Sequence, residues 1–506
     1  MAVNENLKRT AVKSFRKYTN SSTAHGVKYL GYENFTARER LFWLLMVLVH
    51  ASLATVIGYG YLWLAFAEAP IQTVVENTQY PLGNFLFPAV TLCPANKINR
   101  TIGIEILDRY VEAAKINPKD VDLSHVLNAL HVMEYPTYFN MLEHLETSKK
   151  SLNIFGGLNI SEFMLKTLPQ CQYLFEECYW RGELVDCCKM FSLQRTEEGY
   201  CYAFNSFTNR RGCDWHSIDG QDSNSENDSC YRYNVDSSGS FSGLTVFLKK
   251  ENTSPVGQDE NDVDIPDGVL VLISSSFQHP VASSGMLLKP KLGNTLEIEV
   301  TPAIFGAHSS LETIRLEDRN CILASDLAQK SDFSYSEQNC RLECRHEFIS
   351  RACKCQPVVF YDPDLPYPAC DLSQLICIAR LSNEGKIRNR GTPDSTCKCW
   401  PSCQQIRFEI KIRRNILTFF DGSKRFGMLD VYYSKRGAIK YQKKVSFTVE
   451  QLLASIGGTG SLLMGASMIS GVEILYYSVR GCIQLLAALV KLYKQRNTPP
   501  NVHFLQ

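Results

Sequence analysis

Two runs without a single Asp, Glu, Lys or Arg stand near opposite ends of the chain, Leu41 to Ala67 and Leu452 to Val472, and 18 of the 19 cysteines lie between them, from Cys93 to Cys403. As a helix rising 1.5 Å per residue, the 27 residues of the first run outreach the roughly 30 Å of hydrocarbon in a bilayer. The second run, at 21 residues, is also long enough to cross. Disulfides persist in oxidising compartments, so the cysteine-rich segment reads as a cross-linked domain held outside the cell by two spans. The first run begins far into the chain, is long, and has no small-residue cleavage site, which argues against a cleaved signal peptide.

Basic residues set the orientation. Lys8, Arg9, Lys13, Arg16, Lys17, Lys28, Arg38 and Arg40 precede the first run against Glu5, Glu33 and Glu39, and beyond the second, from 480 to the end, stand Arg480, Lys491, Lys494 and Arg496 without an acid. Positive flanks stay in the cytosol. The expected division is therefore a cytosolic arm over 1–40, a first span over 41–67, an extracellular domain over 68–450, a second span over 451–479 and a cytosolic tail over 480–506, in a plasma-membrane protein. Sequons at Asn99, Asn159 and Asn227 are on the outer side, Asn252 is weakened by Pro255, and Asn34 is cytosolic. Cys482 sits at the inner membrane edge, as a packed thiol or a palmitoylation site. A net charge of +1 excludes a bulk nucleic-acid partner.

The second run is too rich in small residues for a plain anchor, with Gly457, Gly458, Gly460, Ser461, Gly465 and Ser467 among its members. Ala454, Gly458, Ser461 and Gly465 fall three or four apart, forming one narrow helical face suited to close packing or a pore wall. Backbone that leaves the helix inside hydrocarbon is tolerated where it lines a wet cavity or is buried in protein. An ion path at Gly465-Ala466-Ser467 is the reading, against a glycine-zipper anchor as the plain alternative.

Between the runs, NFLFPAVTLC at 84–93 reads as a buried strand with proline at its start or edge, and residues 102–148 as a helical insertion. A cysteine patch spans Cys171 to Cys230. SGLTVFLKK, GVLVLISSSF and TLEIEVTP read as strands, as do QQIRFEIKI and MLDVYYS further on. The acidic loop at 257–268 departs from a calcium-loop pattern and reads as solvated. Ten cysteines occupy the 83 residues from Cys321 to Cys403, with CRLEC and RACKC on expected helices. No histidine set accompanies their CxC spacings, so disulfides are expected and zinc is not. HExxH, P-loop and GxSxG signatures are missing, and His346-Glu347 has no second histidine, so neither catalysis nor a cofactor is expected.

Six signatures in order, STAHG, FPAVTLC, GYCYAFN, the cysteine block from 321 to 403, LDVYY and GGTGSLLMGAS, resemble the epithelial sodium channel, degenerin and acid-sensing ion channel family over nearly the whole chain. The surplus cysteines, with Cys187 next to Cys188, look most like its insect pickpocket branch. The resemblance implies an α+β membrane protein: two transmembrane helices flanking a disulfide-rich ectodomain with a β-sheet palm and helical thumb, knuckle and finger elements. It also implies a homo- or heterotrimer in membrane lipid, with sodium as the permeant ion, amiloride sensitivity, and an extracellular stimulus or ligand acting on the ectodomain.

By position, the resemblance makes His25 and Gly26 a gating motif and Gly465, Ala466 and Ser467 the selectivity filter. Ala454 becomes the site where bulk holds degenerin channels open, Gly458 a pore-facing position, Ser461 a position of amiloride block and Glu473 an acid inside the filter. It further implies the pairs Cys321 with Cys403, Cys340 with Cys399, Cys344 with Cys397, Cys353 with Cys377, Cys355 with Cys370 and Cys93 with Cys201. Cys178 pairs with Cys187 or Cys188, and Cys171, Cys213 and Cys230 stay unassigned with the remaining one of those two. The residues before Cys321 are EDRN, without the wrist tryptophan of acid-sensing members, and no tyrosine follows Pro499-Pro500 as in epithelial members. Two other readings share the layout: an ATP-gated purinergic-type channel, which has fewer ectodomain cysteines and another filter, and a non-conducting cysteine-rich receptor or adhesion subunit.

Overall fold

A computed structural model describes residues 2–68, 71–115, 121–135, 137–149, 152–208, 232–249, 268–280, 286–288, 294–327, 335–357, 366–387, 398–416, 427–446 and 448–497. The chain divides into two compact units, one of Met1–Gln72 with Lys444–Gln506 and one of Thr73–Lys443. The second carries 18 of the 19 cysteines and the β-structure.

Its strands are β1 (Ile71–Pro81), β2 (Ala89–Pro94), β3 (Phe175–Trp180), β4 (Glu183–Val185), β5 (Ser192–Thr196), β6 (Gly199–Phe204), β7 (Leu244–Leu248), β8 (Val269–Ser274), β9 (Met286–Leu288), β10 (Asn294–Ala307), β11 (Gln405–Ile416), β12 (Met428–Tyr433) and β13 (Gly437–Val445). Eight form the palm sheet in the order β1-β13-β10-β12-β7-β3-β4, with β11 also on β10. The long β10 is the spine. It runs antiparallel to β11 from Asn294↔Ile416 to Phe305↔Gln405, while its other edge takes β12 (Thr295↔Met428) and then β13 (Ala303↔Ile439), both parallel. The other five strands form a sheet ordered β5-β6-β2-β8-β9. In β2, β6, β7 and β12 every residue is buried. Sheets covered on both faces show such runs in place of alternation.

Three of the sequence signatures meet in this core. Phe87 and Tyr433 are fully buried with ring centroids 5.2 Å apart, and Phe87 also meets Trp180 at 5.2 Å and Phe204 at 6.2 Å. The Tyr433 hydroxyl donates to the Leu86 carbonyl at 3.3 Å, and Asn205 Oδ1 accepts from the Tyr233 N–H at 3.2 Å. FPAVTLC, GYCYAFN and LDVYY thus build one aromatic centre, where edge-to-face pairs contribute about 0.5–1.5 kcal/mol each beyond their buried area.

Charge is buried with partners. Asp430 of LDVYY is fully buried and accepts from Ser240 Oγ at 2.6 Å, Thr245 Oγ1 at 2.9 Å and the Phe241 N–H at 3.2 Å. Burial raises its carboxyl above the ordinary value, and these hydrogen bonds offset only part of that rise. Lys97 Nζ bonds both Glu134 and Glu198, the latter at 3.1 Å. Burial first, and then the neighbouring Glu134, push Glu198 upward, while the Lys97 ammonium holds Glu134 below its ordinary value despite burial.

The helical insertion consists of Arg100–Ala113, Leu123–His131, Met141–Thr147 and Ile160–Thr167. The side chains of Asn99 and Asn159, both in sequons, cap the first and last of these by accepting from Ile102 and Glu162 N–H groups. The thumb carries helices Glu337–Cys353 and Leu375–Asn383. CRLEC lies inside the first, but the RACKC expectation needs correction: Lys354 takes φ 59° and ends the helix, leaving Cys355 beyond it.

The disulfides are Cys93–Cys201, Cys171–Cys188, Cys178–Cys187, Cys321–Cys403, Cys340–Cys399, Cys353–Cys377 and Cys355–Cys370. Cys178 therefore takes Cys187, and Cys188 takes Cys171, for which sequence gave no partner. Cys178–Cys187 ties β3 to the short helix Cys187–Met190 after β4, and Cys171–Cys188 ties that helix to the short helix Cys171–Leu174 before β3. Cys344 is disulfide-bonded too. Cys397, Cys213, Cys230, Asn227 and residues 257–267 of the acidic loop lie outside the described residues.

Candidate functional site

The other unit holds two helices long and apolar enough to cross a bilayer, Ala37–Trp63 and Met468–Val490. The first starts behind Thr36, whose side chain accepts from the Glu39 N–H while Glu39 accepts from the Thr36 N–H. This reciprocal cap is what the T-x-x-E spacing encodes. The helix widens to π geometry over Val56–Trp63, around Gly58 and Gly60.

The glycine-rich run is two helices. Thr448 and Gln451 cap the first half-helix, Val449–Met464, and the second extends over Met468–Asn497. It passes the boundary expected at 479, because Arg480 is a lone charge followed by the apolar CIQLLAALV.

Between the halves, Gly465 takes φ 58°, its N–H donates to the Ser461 carbonyl at 2.9 Å and the Ala466 N–H to Gly460 at 3.3 Å. This is how a left-handed glycine closes a helix. Ser467 then opens the next one: its N–H donates to Ser470 Oγ at 3.1 Å and its Oγ accepts from the Ser470 N–H at 3.3 Å. The small residues at 465–467 therefore form a deliberate break, with one stop and one start signal back to back.

The arm closes on that break. The His25 N–H donates to the Met464 carbonyl at 2.9 Å, a group the broken helix leaves without an internal donor. A Cβ on Gly465 would lie 2.3 Å from His25 Nδ1, so only glycine admits the imidazole there. Gly26 has φ 81°, and a Cβ on it would lie 2.9 Å from Val47 of the first spanning helix. Thr23 Oγ1 bonds Ser470 Oγ at 2.8 Å and donates to Glu473 Oε2 at 3.0 Å, joined there by the Thr23 N–H at 3.2 Å. Helix Ala2–Ser21 runs on along the second half-helix, with Tyr18 against Tyr477 at 5.8 Å and Ser14 Oγ 3.4 Å from Gln484 Oε1.

The structure thus gathers His25, Gly26, Gly465, Ala466, Ser467 and Glu473 in one place. Ala454, Gly458 and Ser461 lie on exposed turns of the first half-helix, and space beside Gly458 is open. Sequence reasoning missed Thr23, Ser470 and the arm helix. Ser470, three residues after Ser467, repeats the spacing of a helix start and was legible as one. The arrangement offers backbone carbonyls, hydroxyls and one carboxylate around a break, which suits coordination of a partly dehydrated cation.

Comparison with known proteins bears on the family of the whole chain. The family model described as "Amiloride-sensitive sodium channel" matches residues 18–477. Sodium channel protein Nach of Drosophila melanogaster is 24% identical over 486 residues, covering 92% of this chain and 86% of that protein. Pickpocket protein 19 of the same species is 24% identical over 489 residues, covering 92% and 91%. Acid-sensing ion channel 4-B of Danio rerio is 23% identical over 510 residues, covering 95% and 79%. The chain is a two-span membrane protein and a cation-channel subunit of degenerin type, not an enzyme. Its matched length and its motifs place it, plainly, in the amiloride-sensitive sodium channel family.

Proposed function

We propose that three chains, identical or drawn from related subunits, assemble in the plasma membrane with their arms and tails in the cytosol. Together they conduct sodium in preference to potassium and are blocked by amiloride. The observation that carries this reading is the helix break at Gly465 with His25-Gly26 packed against it. One chain contributes two spans, too few to enclose a water path, and exposed small residues need protein or water beside them in a bilayer. Ala454, Gly458 and Ser461 line the outer passage, with amiloride reaching Ser461. Gly465-Ala466-Ser467 forms the constriction, where carbonyl and hydroxyl oxygens replace part of the ion's hydration. Glu473, held by Thr23, adds negative charge just inside.

A stimulus on the ectodomain shifts the closed-to-open equilibrium by binding one state better than the other. Opening at the constriction requires the arm to release or carry the break with it. Whole-cell recording from cells expressing the chain, alone and with related subunits, checks this: an inward sodium current abolished by amiloride is expected. A chain that reaches the surface yet yields no amiloride-sensitive conductance in any combination supports the non-conducting receptor reading instead.

A further inference from the structure

The stretch between the arm helix and the first spanning helix contains one short helical turn, Val27–Leu30, yet it lies in register along a face of Ala37–Trp63. Three contacts fix it there. Arg40 Nη2 donates to the Tyr32 carbonyl at 2.9 Å, and the Trp43 ring stacks on Tyr29 with centroids 4.3 Å and planes 28° apart. Val47 is the third, so close to Gly26 that a Cβ there would lie 2.9 Å from it. Residues 40, 43 and 47 are three and four apart and share one helix face. Their partners at 32, 29 and 26 descend in steps of three, so the stretch runs antiparallel to the helix.

Tyr29 is the centre of this seam. Its ring also stacks on Phe35, at 5.8 Å and 14°, and its N–H donates to the Gly26 carbonyl at 3.2 Å. Behind the turn, the fully buried Thr19 stands where a Cβ on Gly31 would have to go. Among the described residues no hydrogen bond reaches the Tyr29 hydroxyl, so the flat ring makes the contact and phenylalanine should serve in its place. From the same stretch the His25 N–H reaches the Met464 carbonyl, and Thr23 reaches Ser470 and Glu473. The segment from Thr23 to Tyr32 is thus fixed to the first span on one side and to the helix break on the other.

We propose that Tyr29 is a positioning residue for the passage, the point at which a tilt of the first spanning helix is carried through Trp43 into the arm and so to the Met464 carbonyl. Coupling of this kind travels through packed side chains that shift together. The proposal rests on the reading of Gly465-Ala466-Ser467 as the constriction, and its test separates the two.

In the full-length chain in cell membranes, Thr23→Cys and Ser470→Cys, whose native hydroxyls are 2.8 Å apart, should join on oxidation with copper phenanthroline, the joined peptide being measured by mass spectrometry. The yield is expected to persist with Tyr29→Phe and to fall at least about fivefold with Tyr29→Ala or Trp43→Ala. The double alanine variant should fall no further than either single one, because both remove the same contact. Without the added cysteines, Tyr29→Ala should lower the sodium-to-potassium permeability ratio by at least about twofold, and Tyr29→Phe should restore it. Surface biotinylation at the native level verifies delivery of the variants. A native chain without current counts against the channel reading, whereas the cross-link reports on the arm whether or not current flows. Undiminished cross-linking in Tyr29→Ala, or a native permeability ratio despite diminished cross-linking, overturns the proposal.

Discussion

Replacing Gly465 with valine is expected to abolish amiloride-sensitive sodium current while leaving the chain at the cell surface. Two independent effects act at that residue. Its φ of 58° costs a residue with a Cβ roughly 1–2 kcal/mol, and more for a β-branched one. The new Cβ would stand 2.3 Å from His25 Nδ1, so the arm or the break has to move. Neither effect touches the cysteine-rich unit, which is why surface delivery survives. Gly465→Ala carries the same strain and contact with less bulk, and should retain partial current with altered selectivity. Wild-type current and selectivity in Gly465→Val would show that the break and arm do not form the passage.

Asp430→Ala is expected to have the opposite distribution of effects, stopping the chain before it reaches the surface. It strands the buried Thr245 hydroxyl and removes the acceptor that ties down Ser240 Oγ and the Phe241 N–H on the neighbouring exposed turn. An unsatisfied buried donor costs about 1–3 kcal/mol, which with the lost anchoring of the turn is a substantial part of the roughly 5–15 kcal/mol that holds a domain folded. Surface biotinylation should find Asp430→Ala reduced by at least about tenfold, whereas Asp430→Asn, which keeps an acceptor oxygen, loses much less. Equal surface levels for Asp430→Ala and the native chain would contradict the account of this core.

The contrast between the two positions explains what the sequence made legible. Stop and start signals are local, so Thr36-x-x-Glu39 and the small residues at 465–467 could be read directly as a helix start and an interruption. Strands β2, β7, β8, β10, β11 and β12 were visible as apolar or β-branched runs. The β3–β4 hairpin was not, because CYWRGELVDCC drew attention to its cysteines, although Arg181-Gly182 at φ 55° and 80° is a common hairpin turn. Partners distant in sequence were the real gap. Nothing in the order of residues says that Thr23 reaches Glu473, 450 positions away, or that Phe87 packs edge-on against Tyr433. The acid at Glu473 was readable, but not that the arm holds its carboxylate. The resemblance stood in for this missing tertiary information, while the arm helix Ala2–Ser21, polar enough to look like a plain tail, showed no spanning run to reveal its packing.

The central claim is that Gly465-Ala466-Ser467 selects the ion. Reversal potentials measured with sodium outside and potassium inside, for the native chain, Ser467→Cys and the control Ser478→Cys, test it most directly. Ser467 ends one helix break and starts the next helix, whereas Ser478 lies on an exposed turn well inside the second half-helix. The account predicts a reversal potential shifted toward potassium in Ser467→Cys alone. An unchanged sodium-to-potassium ratio in a conducting Ser467→Cys channel would contradict it.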